Sequence, residues 1–509
     1  MLHRILDRAD RIRCRVEQAC DAVFTPRYNP FNHLGGIVLF LMAVILVTGI
    51  YLFLFYSVNA DRAYASVDYL TREQWYLGGI MRSLHRYASD GALLAILLHF
   101  LRQLVSRRVT GHRWVAWVSG LGLLGVVFVE GITGYWMVWD QVAQMVALKT
   151  TRFLDVLPLF GEPLTRAFLV DEGVTNLFFF IMLFLHLALP VGLLLLFWVH
   201  TTRVSRPAYW PPGLLAWGLL AVLLGLALIK PAVSAPPADL RHLPTTLGLD
   251  WFYLFFYPLM DLVGPGPLWL WLAGAAAALV AVPWALREPA RAKARVTLRL
   301  CNGCAQCYKD CPYEAIFMRP RSDGRPYPAE PVVLPARCAS CGICVGSCDP
   351  MGIVLPDRSP RQVRREMAAA LAAPSGDLPK ILLVTCAWGV VPGKELLRDM
   401  PHVRSLQLPC IGMIHPLLLE RAFKAGAQGV FIAGCRMGDC HYREGNRWLE
   451  ARLNRTRDPK LRPHVDPGRI RVAWLHKAQG PALRRALREF TDALSERAGK
   501  PSRMEAVHV

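Results

Sequence analysis

At 509 residues, 54% apolar and with a mean hydropathy of +0.30, the chain is too long for one domain and too apolar for a wholly soluble one. Its net charge of +20 does not argue for nucleic acid, because Arg and Lys gather in the loops that flank apolar runs, as cytoplasmic loops do. Of fourteen cysteines, twelve follow residue 300 in regular clusters, which excludes a secretory disulfide framework and points to metal or iron–sulfur ligation.

Residues 1–30 are basic (Arg4, Arg8, Arg11, Arg13, Arg15) and lack a short apolar core ahead of a small-residue cleavage site. They read as an amphipathic cytoplasmic surface helix, in which Cys14 and Cys20 are assigned no role. A membrane domain follows over 31–286, with six apolar stretches long enough to span: 34–56, 79–104, 114–138, 174–200, 213–230 and 265–286. The N-terminus, the 102–113 loop (Arg102, Arg107, Arg108, Arg113), the 201–206 turn (Arg203, Arg206) and the stretch after 286 are basic, whereas the alternate loops are mixed or acidic. An even number of spans then places both termini and the cysteine-rich half on the cytoplasmic side of a prokaryotic inner membrane.

Two spans carry paired histidines, and both pairs have the same spacing. His85 and His99 are fourteen residues apart, and so are His186 and His200. On an α-helix that interval returns to nearly the same face and climbs roughly 21 Å. Two such helices side by side present two stacked bis-imidazole sites, suited to two b-type haems. A lone histidine on an apolar helix reads as a hydrogen-bonded core residue; the repeated interval is what favours ligation. Gly35 and Gly49 on the first span, and Gly120 and Gly134 on the third, repeat the fourteen-residue interval, and glycine lets a macrocycle edge approach a helix backbone. Arg82 lies three before His85 and Arg102 three after His99, where each is placed to pair with haem propionates.

Beyond a basic linker (287–300), residues 301–356 hold two C-x2-C-x2-C-x3-C runs, Cys301–Cys304–Cys307–Cys311 and Cys338–Cys341–Cys344–Cys348. This is two-cluster ferredoxin spacing, in which the fourth cysteine of each run crosses to the other cubane. One [4Fe–4S] cluster is expected on Cys301, Cys304, Cys307 and Cys348, and the other on Cys338, Cys341, Cys344 and Cys311. Zinc is the alternative for paired C-x-x-C runs. The Pro-rich connection 319–336 reads as an inserted loop. Residues 357–378 read as a helical linker. Over 379–498 short β-rich runs (380–386, 403–408, 429–435, 470–475) alternate with helical patterns (414–426, 445–455, 480–497), which implies a small α/β domain with a parallel sheet. Cys386, Cys410 and Cys435 end its strands, and Cys440 shares a loop with Cys435. At the carboxyl edge of a parallel sheet four cysteines suit a [2Fe–2S] cluster; buried structural cysteines are the alternative. The expected fold is thus multi-domain: an all-α transmembrane helical bundle, a ferredoxin-like α+β module and the α/β domain.

The histidine pattern over roughly 28–286 resembles the cytochrome b subunit of the bc1 and b6f complexes. The resemblance implies His85 and His186 for the haem near the outer side, and His99 and His200 for the haem near the cytoplasm. The Gly134-Tyr135-Trp136 turn with Gln141 is similar to the family's run into its quinol-site helix. Where that family has Pro-Glu-Trp-Tyr, this chain reads Leu249-Asp250-Trp251-Phe252-Tyr253. A carboxylate survives, so the resemblance implies an outer quinone site with Asp250 as proton acceptor and Trp251 and Tyr253 nearby. Asp250 as an interfacial loop acid, with the aromatics as an interface belt, is the plainer alternative. Dimers are usual among these relatives, which implies a homodimer.

Residues 379–497 resemble the iron–sulfur (delta) subunit of the methyl-viologen-reducing hydrogenase. The run Gly434-Cys435-Arg436-Met437-Gly438-Asp439-Cys440-His441-Tyr442-Arg443-Glu444-Gly445-Asn446 and Leu408-Pro409-Cys410-Ile411-Gly412 carry the likeness. The family often has a further cysteine where this chain has Gly389, and His441 reads as a surface residue. The resemblance implies docking to soluble cytoplasmic flavin-containing subunits, such as the A subunit of heterodisulfide reductase, a hydrogenase or a formate dehydrogenase. With no dinucleotide fingerprint and no nucleophile–base constellation in the sequence, the modules read as a relay. The expected function is a membrane electron-transfer subunit of a quinone-linked oxidoreductase, carrying electrons through [2Fe–2S], two [4Fe–4S] and two b haems between a flavoprotein and the quinone pool. The alternative is an anchor that passes electrons to another cytochrome and has no quinone site.

Overall fold

The computed structural model describes residues 2–158, 161–169, 174–201, 208–242, 248, 250–287, 289, 291–374, 376–393 and 398–498. Arg203 and Arg206 of the orienting loop, and Leu249, lie outside the described residues. The chain divides into two compact units, Arg27–Arg287 and a second built from Met1–Pro26 with Glu288–Val509.

Helix α1 (Leu2–Tyr28) breaks at Thr25, φ +59°, one residue before Pro26 and just ahead of Arg27, where the first unit begins. That unit holds α2 (Leu34–Phe55), α3 (Ala63–Arg72), α4 (Ile80–Val105), α5 (Trp114–Val138), α6 (Gln141–Leu154), α7 (Asn176–Thr201), α8 (Gly213–Ile229), α9 (Phe256–Val263) and α10 (Pro265–Ala285). Five of its helical segments are long and apolar enough to cross a membrane: Leu34–Phe55, Trp75–Val105, Trp114–Val138, Asn176–Thr201 and Pro265–Ala285. The expected sixth span is a helix of only 17 residues. At 1.5 Å per residue it reaches about 26 Å, short of a hydrocarbon core of about 30 Å. Proline trims both of its ends, with Pro211 and Pro212 ahead and Pro231 just after the C-cap Lys230.

In this unit α2 packs on α4 and α5 on α7, and the histidine-bearing helices α4 and α7 face one another across the gap between those pairs. The Gly134-Tyr135-Trp136 segment is not a turn. It lies in the last turns of α5, and the chain reverses at Trp139, φ +54°, followed by the N-cap Asp140, whose Oδ1 accepts from Ala143 N at 2.9 Å.

In the second unit, short strands β1 (Arg295–Val296) and β4 (Ile353–Val354) pair antiparallel, as do β2 (Ile316–Pro320) and β3 (Ala329–Val333). Most of the expected 319–336 loop is therefore a hairpin; the alternating Val332 and Phe317 side of the ladder was masked in sequence by Pro328 and Pro331. A capped helix, Pro360–Ala372, carries Ser359 and Gln362 as a reciprocal capping box. The C-terminal sheet is fully parallel, in the order β6 (Val403–Leu408), β5 (Ile381–Cys386), β7 (Gly429–Cys435), β8 (Ile470–Leu475). Its two central strands are buried at every position, as all-apolar runs between helices require.

Helix α1 does not stand alone. Its inward stripe is Leu6, Asp10, Cys14 and Glu17, all buried, while Ile5, Ile12 and Val16 point outward. Glu17 Oε2 accepts from Arg436 Nη1 at 3.2 Å, Asp21 Oδ1 accepts from Arg436 Nη2 at 2.7 Å, and Arg13 Nη1 lies 3.3 Å from Asp439 Oδ2. The helix thus clamps the loop between Cys435 and Cys440. Burial pushes the Cys14 thiol up to about 11, so it sits there as a neutral, inert side chain.

Candidate functional site

Helices α4 and α7 bring His85 and His186 opposite one another, with ring centroids 6.4 Å apart and ring planes 54° apart. An iron between two imidazoles needs a bond of about 2 Å on each side, and adding a ring radius of about 1.1 Å to each gives roughly 6.3 Å. The rings therefore fit a bis-imidazole metal. Their hydrogen bonds fix which nitrogen is available. His85 Nδ1 donates to the Ile45 carbonyl at 3.0 Å and lies 3.1 Å from Thr48 Oγ1. A carbonyl only accepts, so Nδ1 carries the proton and Nε2 keeps its lone pair. His186 Nδ1 meets Thr133 Oγ1 at 3.0 Å and Glu130 Oε2 at 3.1 Å. His200 Nδ1 meets Ser119 Oγ at 3.3 Å, and that hydroxyl is itself donating to Val115 O.

Each of the four glycines faces one histidine. A Cβ on Gly49 would stand 3.1 Å from His85 Cε1, on Gly134 3.3 Å from His186 Cε1, on Gly120 3.2 Å from His200 Cε1, and on Gly35 3.7 Å from His99 Cε1. Their absent side chains make room for the imidazoles themselves, which is more specific than room for a macrocycle edge. Arg82 is held by the hydroxyls of Thr71 and Ser234, the latter at 2.9 Å. Arg102 is buried near Asn32 Oδ1 at 3.4 Å.

Asp250 is not a loose loop acid. Its side chain is 8% exposed and takes a hydrogen bond from Arg86 Nη2 at 2.8 Å, one from the Tyr135 hydroxyl, and one from Phe252 N at 2.7 Å. Arg86 also reaches Asp90, Nε to Oδ2 at 3.3 Å. The aromatics divide: Trp251 is 76% exposed, whereas Tyr253 is buried with its hydroxyl 2.7 Å from Ser89 Oγ and its ring against Gly131. Tyr253 is thus a packing residue rather than part of an interface belt.

In the second unit one cavity is lined by Cys301, Cys304, Cys307 and Cys348, and another by Cys311, Cys338, Cys341 and Cys344. These are the crossed sets. Ala305, φ +59°, and Gly342, φ +80°, occupy matching places in the two runs and start the short helices that deliver Cys307 and Cys344. Backbone N–H groups point at the sulfurs: Gly303 N to Cys301 Sγ 3.4 Å, Ala315 N to Cys311 Sγ 3.4 Å, Gly352 N to Cys348 Sγ 3.1 Å. Burial, with Cys348, Cys304 and Cys301 close by, pushes the Cys307 thiol up to about 12, so holding thiolates here calls for bound positive charge. Among the described residues no three or more His, Cys, Asp or Glu side chains close on a single ion. The cysteines ring a void instead, which suits a multi-iron group better than zinc.

At the carboxyl edge of the parallel sheet Cys386, Cys410, Cys435 and Cys440 converge, all buried, with Cys386 Sγ 3.6 Å from Cys435 Sγ. Trp388 N lies 3.5 Å from Cys386 Sγ and Gly412 N 3.4 Å from Cys410 Sγ. A Cβ on Gly389 would sit 3.6 Å from Cys386 Cβ, so this is the position from which a further cysteine would join the group. His441 is buried and stacked on Trp388 at 3.6 Å and 2°, not on the surface. Gly445 starts the helix Gly445–Leu453, and a Cβ there would collide with Cys410 Sγ and stand 3.6 Å from Cys440 Sγ. Gly445→Ala is therefore expected to displace Cys410 and lose the iron of this group while the two other clusters persist; iron and acid-labile sulfide per chain measure it.

All three cysteine groups share one hydrophobic core, which also holds Ile343, Ile411 and Met413. Asp310, one residue before Cys311, joins the modules by a buried ion pair with Arg452, Oδ2 to Nη2 3.0 Å. Sequence reasoning missed Asp310, Arg452, Arg86 and Glu130. Only Glu130 and Arg86 carried a signal, as charges inside apolar spans.

Three family models match in chain order: cytochrome b/b6 (petB) over 20–206, the 4Fe-4S dicluster domain over 300–352, and the methyl-viologen-reducing hydrogenase delta subunit over 381–497. A solved chain titled "Hyperthermophilic respiratory Complex III" is similar at 17% identity and a TM-score of 0.40, covering 50% of this chain and 74% of that one. The cytochrome b region implies b haem and the dicluster region implies iron–sulfur clusters, on a multi-pass membrane protein of electron transfer.

Proposed function

We propose that the chain is the membrane electron-transfer subunit of a quinone-linked oxidoreductase, with His85–His186 and His99–His200 holding two b haems, the crossed cysteine sets two cubanes, and Cys386, Cys410, Cys435 and Cys440 a [2Fe–2S] cluster. These groups, when bound, supply one-electron carriers. The protein supplies their placement: imidazoles locked through Nδ1, and sulfurs that are buried except for that of Cys304, with N–H groups directed at several of them. A soluble flavoprotein, hydrogenase or formate dehydrogenase is the proposed donor or acceptor at the C-terminal domain, for which the basic residues after the last span (Arg287, Arg291, Lys293, Arg295) favour the cytoplasmic side. Charge moved across the membrane in this way is worth about 2.3 kcal/mol per charge per 100 mV.

The observation that carries the quinone link is the buried Asp250, held by Arg86, Tyr135 and Phe252 N on the loop ahead of α9. Arg86 orients the carboxylate toward a hydroxyl presented beside it, and Asp90 on the same guanidinium gives a proton a next stop. Asp250→Asn keeps the size and removes the base. Quinol-driven haem reduction is expected to fall about 10²-fold, the low end for a general base, with both haems still bound. An unchanged rate would instead favour a relay that hands electrons to another cytochrome.

A further inference from the structure

The helices Pro360–Ala372 and Pro416–Lys424 pack side by side on one face of the parallel sheet. Beside them opens a cleft of about 40 Å³, floored by Val345, Met351, Val363, Leu408, Met413 and Leu418 and rimmed by Arg364 and Arg421. Arg421 is exposed, and so is Arg361, one turn before Arg364. Burial, and then the charges of Arg421 and Arg361, lower the pKa of Arg364, which puts the three guanidinium groups within repelling distance. Among the described residues no carboxylate pairs with any of the three. The acids of the same two helices are held by other cations: Glu366 by Arg358, and Glu420 by Arg462 at 3.5 Å and His464 at 3.6 Å. Like charges gathered within a Debye length, about 10 Å at 0.1 M salt, cost free energy until an anion meets them.

We infer that this cleft is the docking surface for a small acidic one-electron carrier protein, of the ferredoxin or flavodoxin kind, additional to the flavoprotein proposed above. The cleft has room for about three waters, so it takes the tip of one apolar side chain. Arg361, Arg364 and Arg421 around it suit carboxylates, which a guanidinium fork grips by both oxygens. A contact of one apolar tip within a ring of charge is small and short-lived, as electron-transfer encounters are, and its charges hasten the encounter. The place in the fold agrees. Val345 follows Cys344 directly and Leu408 stands two before Cys410, so the floor is built from neighbours of two of the cysteine groups. In the exchange one electron leaves the carrier, which is oxidised, and enters this chain, which is reduced; no bond is made and no proton moves. The inference rests on the cluster assignment proposed above.

The test is isothermal titration of the full-length protein, in detergent, with an acidic [2Fe–2S] ferredoxin and with an acidic flavodoxin, each oxidised. Wild type is expected to bind at least one of them at low salt and to lose affinity as sodium chloride rises. Arg421→Glu and Arg361→Glu, both at exposed positions, are each expected to weaken that binding roughly tenfold, while Arg421→Lys, which keeps the charge, stays within about threefold of wild type. Arg485→Glu controls for net charge and is expected to bind as wild type does, because its helix, Gly480–Ala498, covers the opposite face of the sheet. Iron and acid-labile sulfide at the wild-type level show that a variant is folded; should one reversal lose them, the other decides. Neither carrier binding to iron-replete wild type overturns the inference, as does binding that the cleft reversals leave unchanged, or equal weakening by all three reversals. Inorganic phosphate bound in an Arg421-dependent way, with neither carrier bound, would make the cleft a small-anion site and also overturn it. A purified wild-type chain without iron and sulfide would instead overturn the cluster assignment, a separate and visible failure.

Discussion

Replacing His186 by leucine is expected to take the protein from two haems per chain to one, with the second haem retained. The expectation is local because the two sites are built separately. His186 is fixed by Thr133 and Glu130, and His200, fourteen residues on, by Ser119. That interval on α7 is roughly 21 Å, so removing one imidazole leaves the other ring and its glycine undisturbed. Leucine fills the space left by the ring and suits an apolar helix, so the bundle itself has little reason to open. Pyridine haemochrome content per chain measures the loss, and the spectrum of the haem that stays shows whether its two imidazoles are intact. Loss of both haems would mean that the two sites are not independent. Retention of both would remove His186 from the ligand set.

What could be read in the sequence is what a metal or a helix writes at short range. The fourteen-residue intervals of His85, His99, His186 and His200, and the glycines opposite them, follow from one helix face, and the structure sets each glycine against a histidine ring. The two central strands of the C-terminal sheet were legible at short range too, as apolar runs bounded by turns. Three things were not. The inward stripe of α1 is polar, Asp10 and Glu17 with Cys14, because its partner is the Arg436 side chain and not an apolar core. Its apolar residues Ile5, Ile12 and Val16 point outward instead, so hydropathy carries no sign of this docking. The length of α8 was hidden because hydropathy does not see where proline stops a helix. The third is long-range pairing: Asp310 meets Arg452 across 142 residues and Glu130 meets His186 across the α5–α7 contact, and neither separation leaves a periodic trace. Those pairs tie the cofactor-bearing segments to one another, which spacing alone does not reveal.

Asp310→Ala is expected to be among the most damaging single changes in the second unit. The Asp310 and Arg452 side chains are both 0% exposed. Arg452 reaches Gly412 O at 2.9 Å and Ser347 Oγ at 2.7 Å as well, and Arg457 Nε also donates to Asp310, at 2.8 Å. Burial alone lowers the pKa of Arg452, and the Asp310 charge is what works against that loss. Removing the carboxylate leaves a guanidinium deep in the core with no counter-charge, at a cost of about 3–5 kcal/mol. The seam concerned joins the Cys311-containing cubane set to the turn that carries Cys410. A rise of roughly 10²–10⁴-fold in its local opening is therefore expected, read as faster hydrogen exchange over 343–347 and 410–414 and as faster iron release to a chelator. The pair Asp310→Leu with Arg452→Met separates charge from shape. A buried ion pair replaced by apolar groups of similar volume is often neutral, so the double variant is expected to recover most of the protection that Asp310→Ala loses. If the double variant opens as readily as the single one, the seam depends on the hydrogen bonds of Arg452 to Gly412 and Ser347, and the uncompensated charge is not what loosens it.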